Sequence, residues 1–187
     1  MHRYLPLVFI VALLIGFRVL GSVLPENQPN FQPLAAVFFC GALLAPGWRG
    51  FALPLGIWAI TYPLGIGPVS DLTIFVTTLV AFAGTFLLGR FLVDRGVPTL
   101  LLGSIAAAVL FHLVTCGAAW IGSPMYPKSL AGLWQSLWTG PAGSPIPSWV
   151  FLRNMAAANL LFTALVAAAR FRFPAPAAPA PESLPAR

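Results

Sequence analysis

Only 7% of the residues carry a charged side chain while 59% are hydrophobic, and this imbalance decides what the chain can fold into. A water-soluble domain carries about 25% charged residues. So little charge cannot cover a water-facing surface, so lipid is the expected solvent for most of the 187 residues. The mean hydropathy of +0.89 agrees. The length fits a single domain.

The net charge of +6 does not point to nucleic acid. The basic residues stand singly at the ends of apolar runs, which is how a membrane protein uses Lys and Arg. Cys40 and Cys116 lie inside apolar runs and read as small buried hydrophobes rather than a disulfide pair. The first run, from Tyr4 to Ser22, is too long for a signal-peptide core and contains Arg18, so it is expected to remain as a first helix.

About 20 apolar residues at 1.5 Å rise cross a 30 Å hydrocarbon core. Six runs qualify or nearly do, near residues 4–22, 33–46, 50–67, 72–92, 98–121 and 149–170. Gly- and Pro-rich breakers separate them. The run at 33–46 is short, and the expectation is that Asn30-Phe31-Gln32 extend its helix. The reading is an all-α membrane protein, a six-transmembrane-helix bundle over residues 1–173 with a Pro/Ala-rich disordered tail at 174–187. With the N-terminus inside, Arg3, Arg49, Arg90, Arg95, Arg170, Arg172 and Arg187 fall on the cytoplasmic side. That asymmetry predicts a multi-pass inner-membrane protein with both termini cytoplasmic.

Between spans five and six, Leu130, Leu133, Trp134, Leu137 and Trp138 fall on one helical stripe. The segment is too short to span. It reads as an interfacial helix with its tryptophans at headgroup depth, either a strut or a lid over an outward-facing cavity.

Polar side chains inside spans are expensive and need a reason. In span five, Ser104, Ala108, His112, Thr115, Cys116 and Ala119 share a face, as a packing stripe or a pocket wall. Haem, metal and Ser–His hydrolase readings of His112 each lack their second group in the sequence. Neither an enzyme nor a cofactor is therefore expected. Arg18 and Arg153, near outer helix ends, either snorkel to headgroups or line an electropositive cup. Asn159 and Thr163 share a face that should point into the bundle, because buried amides need partners. Ala12 and Gly16 make a small-xxx-small pair, for packing within the bundle or for docking a partner.

Asn30-Phe31-Gln32-Pro33 followed by Phe39-Cys40-Gly41 resembles the Asn-Phe-Thr-Pro opening of an uncharacterised family of small bacterial membrane proteins. Arg18 matches that family's arginine late in span one. Phe111, Thr115 and Trp120, then Tyr126-Pro127, Gly132-Leu133, Phe151-Leu152-Arg153-Asn154 and Asn159-Leu160-Leu161-Phe162-Thr163 follow its later motifs in order. His112, Cys116 and Asn159 depart from them. The family is similar in size and layout to the substrate-binding S components of energy-coupling-factor transporters. The resemblance implies a subunit that takes up a small solute from outside, with a transmembrane coupling protein and ATPases as partners. The chain carries no P-loop of its own. The candidate substrate-binding residues are Arg18, Asn30, His112, Thr115, Trp120, Tyr126, Lys128, Arg153, Asn154 and Asn159. The competing expectation is a non-transporting membrane scaffold or assembly protein.

Overall fold

The computed structural model describes residues 33–45, 47–66 and 72–172, with Ala12, Ile15, Gly16 and Phe31. Among these residues there are six helices and no strand: α1 (Leu34–Leu44), α2 (Arg49–Ile66), α3 (Leu72–Leu92), α4 (Val97–Gly122), α5 (Leu130–Trp138) and α6 (Ser148–Arg172). Three are long and apolar enough to cross a membrane: α3, α4 and α6 over Ser148–Ala169. The chain is thus all-helical among its described residues and compatible with a membrane protein. The run at 4–22 falls largely outside the described residues, and the tail at 174–187 wholly so.

The breakers act where the sequence places them. Gly47 takes φ +62° in the turn between α1 and α2, a left-handed conformation that only glycine adopts freely. Pro98 sits in the first turn of α4, where its missing N–H costs nothing. One expectation is corrected. Phe31 is not helical and Pro33 is the N-cap of α1, so that helix starts at Leu34 and Phe31 is not part of it; Asn30 and Gln32 lie outside the described residues. A proline disfavours helical backbone in the residue before it, which ends any helix arriving from that side. The 11 residues of α1 span only about 16 Å, half a hydrocarbon core.

This short helix is the centre of the bundle. Ala35 to Ala42 are all buried. Phe38 stacks on Phe82 of α3 with ring centroids 3.9 Å apart. Gly41 and Gly50 press backbone to backbone, so α1 and α2 form a tight hairpin in which a Cβ on either would collide with the other's carbonyl.

Named contacts fix the helix directions. Ala36 and Cys40 meet Asn159 and Thr163, so α1 runs parallel to α6. Ser104 meets Asn159, while His112 and Phe151 share a cavity wall, so α4 runs antiparallel to α6. Leu92 beside Gly103, Leu110 beside Gly84 and Thr73 beside Gly122 set α3 antiparallel to α4. Spanning-direction helices therefore alternate along the chain. The C-terminal ends of α1, α3 and α6 gather at one end of the bundle with the start of α2 and the α3–α4 turn, so Arg49, Arg90, Arg95, Arg170 and Arg172 fall at that end. Lys128 and Arg153 lie at the other.

The outer faces are apolar. Leu72, Val76, Val80, Leu87 and Phe91 form an exposed stripe on α3, as do Leu102, Val109, Leu113 and Ile121 on α4. Leaving such a side chain in water forgoes about 1.5–3 kcal/mol. The opposite side of α4 carries Gly103, Ser104, Ala107, Ala108 and His112, all buried.

Candidate functional site

The polar face of α4 is the place to start. Ser104, Ala108 and His112 are buried, Thr115 and Cys116 are half-buried, and Ala119 is exposed. The face therefore passes from the core to the surface as α4 approaches the loop end. There a partly open cavity of about 170 Å³ separates α4 from α6, lined by Phe111, His112, Thr115, Cys116, Ser148, Phe151 and Met155. No charged side chain lines it.

His112 does two things at this wall. Its Nε2 lies 2.9 Å from the carbonyl oxygen of Leu137, in the last turn of α5. A carbonyl only accepts, so Nε2 carries the proton and Nδ1 is left with its lone pair. The Leu137 carbonyl is one of the groups a helix C-terminus leaves unpaired. The bond thus satisfies it and ties α5 to α4. The Cys116 sulfur lies one turn on, 3.6 Å from Nδ1 and 3.7 Å from Nε2. Thr115 donates back to the Phe111 carbonyl at 2.9 Å, so its hydroxyl faces the cavity as an acceptor.

α5 packs through its small side chains. Gly132 and Ser136 are buried, while Leu130, Trp134 and Trp138 face outward. A Cβ on Gly132 would collide with the Pro127 carbonyl, so glycine is what lets the helix sit down on the loop. Ser129 caps α5 by accepting from the Gly132 N–H at 3.2 Å.

Trp120, Tyr126 and Lys128 belong to the loop that precedes α5. The Trp120 indole donates to the Pro127 carbonyl at 2.9 Å. The Lys128 ammonium donates to the Trp120 carbonyl, and to the Ser123 carbonyl at 2.7 Å, which places a cation on the negative end of α4. Tyr126 is buried, and burial raises its hydroxyl pKa above the ordinary value, with the nearby Cys116 adding to the rise.

Arg153 and Asn154 do not line the cavity. Arg153 donates to Asn154 Oδ1 through Nε at 3.2 Å and Nη2 at 3.1 Å, and its guanidinium lies 5.2 Å above the Trp149 ring. Trp149 stacks with Trp138, and Trp138 with Trp134, at centroid distances of 6.3 and 5.9 Å. The result is an aromatic ladder on the outside of α5 and α6 with a cation at its end. Asn159 is fully buried in the centre. It accepts from the Ala36 N–H at 3.1 Å and donates to the Ser104 carbonyl at 3.2 Å, which joins α1, α4 and α6. Arg18 and Asn30 lie outside the described residues.

The structure therefore brings His112 and Thr115 to one cavity. It gives Trp120 and Lys128 to the loop, Tyr126 to the space beside Cys116, and Asn159 to the core. Ser148, Trp149 and Met155 were not singled out from sequence, and Phe151 entered only as part of a family-like motif, not as a binding candidate. The cluster of aromatic and polar residues opening span six was the available signal. Among the described residues, no three His, Cys, Asp or Glu side chains come together.

A family match extends over residues 1–176, nearly the whole chain. The chain belongs to DUF6580, a family of unknown function. Among its described residues this DUF6580 chain is all-helical, with a cavity of mixed polar and apolar lining between α4 and α6. No curated protein and no solved structure matches the chain.

Proposed function

We propose that this DUF6580 protein is an integral membrane substrate-binding subunit that takes up a small solute from the outer side. The observation that carries the reading is the cavity between α4 and α6, where His112, Thr115, Cys116 and Ser148 share the wall with Phe111, Phe151 and Met155. Buried polar groups without a role are costly in lipid. A volume of about 170 Å³ is close to the roughly 150 Å³ that holds a benzene-sized molecule. The favoured solute is thus small, and no side chain of the wall supplies a charge to balance an ionic one.

In this reading six spans cross a bacterial inner membrane. Both termini are cytoplasmic, because the end bearing Arg49, Arg90, Arg95, Arg170 and Arg172 faces inward by the positive-inside rule. The cavity end faces outward, with Trp134 and Trp138 at headgroup depth. With no P-loop in the sequence, energy comes from a separate transmembrane coupling protein and its ATPases.

The test is native mass spectrometry of the full chain released gently from membranes, wild type against Thr115→Phe, which fills the cavity. A small-molecule adduct on wild type that is absent from the variant is expected. A bare protein mass in both overturns the reading. One observation favours a second reading, a membrane scaffold or assembly protein: Ala12 and Gly16 are exposed on a helix, and nothing lies within 4 Å of a Cβ placed on Gly16. A small-residue face of that kind suits a partner helix. A partner protein co-purifying without any adduct supports it.

A further inference from the structure

We propose that the cavity between α4 and α6 takes a small uncharged solute that donates hydrogen bonds, of primary carboxamide chemistry on a flat apolar body. The inference rests on the proposed binding function and names the chemical class of its solute.

The α4 side of the wall has committed its own protons. The Thr115 hydroxyl gives its proton to the Phe111 carbonyl at 2.9 Å, with the His112 carbonyl at 3.3 Å as a second acceptor. Its oxygen can then only accept. His112 gives its Nε2 proton to the Leu137 carbonyl, so Nδ1 also only accepts. The Cys116 sulfur stands almost equally far from both ring nitrogens, at 3.6 and 3.7 Å. It therefore lies off the in-plane lone-pair axis of Nδ1 and does not satisfy that nitrogen. His112 is only 5% exposed, and a buried acceptor without a donor is costly. Ser148 adds, from the start of α6, a hydroxyl that donates as well as accepts. A primary carboxamide matches this set: its two N–H bonds meet acceptors, and its carbonyl oxygen takes a proton.

Charge excludes the alternatives. No charged side chain lines the cavity. The two cations at this end are engaged elsewhere, Lys128 with the Trp120 and Ser123 carbonyls and Arg153 with Asn154 and the Trp149 ring. An anionic solute therefore meets no counter-charge. Asp94, the one acid among the described residues, sits at the α3–α4 turn, at the far end of the bundle, so a cationic solute meets none either. An unpaired charge among such walls is strongly unfavourable. The rest of the wall is Phe111, Phe151 and Met155, with Phe111 braced by Phe82 at a ring-centroid distance of 5.6 Å. Aromatic and thioether groups both pack well against a flat ring.

The probes are benzamide, acetophenone and benzoate, which share one shape but are a neutral donor, a neutral molecule without a donor and an anion. Equilibrium dialysis measures each against the full chain in nanodiscs, with the signal of Thr115→Phe subtracted to remove partition into lipid. Benzamide should bind, acetophenone about tenfold or more weaker, and benzoate not at all. Thr115→Val removes one acceptor with little change of shape, so it should weaken benzamide about fivefold and leave acetophenone unchanged. The probe series on wild type stands by itself if that variant fails to fold. Benzoate or acetophenone bound as tightly as benzamide, none of the three bound by folded wild type, or a folded Thr115→Val that binds benzamide like wild type overturns the inference. A native adduct that carries a charge, or that has no N–H or O–H donor, removes this solute class but leaves the binding function standing. Absence of both adduct and probe binding removes both.

Discussion

His112 on α4 donates its Nε2 proton to the Leu137 carbonyl on α5 across 2.9 Å, and this bond ties the short outer helix to a residue of the cavity wall. Replacing His112 by Phe leaves the carbonyl without its partner. A hydrogen bond of this kind contributes about 1 kcal/mol, so amides of residues 130–140 should exchange about fivefold faster in the variant. Hydrogen–deuterium exchange in detergent or nanodiscs measures it. Unchanged exchange means that the latch does not hold α5.

Gly132 meets the Pro127 carbonyl where a side chain has no room. Gly132→Ala should lift α5 off the loop at a cost of about 1–3 kcal/mol. Limited proteolysis between residues 123 and 140 should become faster in that variant, while a Gly143→Ala control, with nothing within 4 Å but φ +79°, perturbs only its own turn.

Asn159 joins α1, α4 and α6 through one accepted and one donated hydrogen bond. Asn159→Leu removes both and strands the Ala36 N–H in the core, which should destabilise the bundle by about 1–3 kcal/mol. Thermal unfolding followed by circular dichroism tests this. A variant as stable as wild type would show that the joint is not structural.

Much of this architecture was legible in the sequence because it is local. The breakers around Gly47 and Gly96, the polar face of α4 and the stripe of α5 are all set by neighbours a few residues apart. Pro33 was legible too, yet Asn30-Phe31-Gln32 read as helix because span length outweighed the proline's bias against helical backbone before it. The cavity was not legible. Its α6 wall of Ser148, Phe151 and Met155 meets α4 only through tertiary packing. The partners of Asn159 stand 123 and 55 positions away. The expectation that Asn159 and Thr163 face inward needed no partner, because burial of an amide demands one wherever it lies; both are fully buried. Arg153 and Trp149 pair across one helical turn, a local i, i+4 relationship in which the arginine acts as a ring partner as well as a charge.

Tyr126 gives a pH dependence whose sign follows from its raised hydroxyl pKa, caused first by burial and then by Cys116. Below about pH 10, the ordinary phenol value, folded and unfolded chains both keep the proton. As pH rises above it, the unfolded chain ionises first, so stability falls toward the folded value. Tyr126→Phe should remove that part of the alkaline loss, as read from unfolding midpoints over the alkaline range. An alkaline profile identical to wild type contradicts the placement of Tyr126.

The account turns on the cavity opening to the outer side of the membrane. Cys116 lines it, whereas Cys40 is fully buried between α1 and α6 and serves as an internal unreactive control. The direct measurement is labelling by a membrane-impermeant maleimide in right-side-out and inside-out vesicles. Cys116 should label from the outer face only, faster in His112→Phe than in wild type. Labelling of Cys116 from the cytoplasmic face, or from neither face in both forms, contradicts an outward-facing binding cavity.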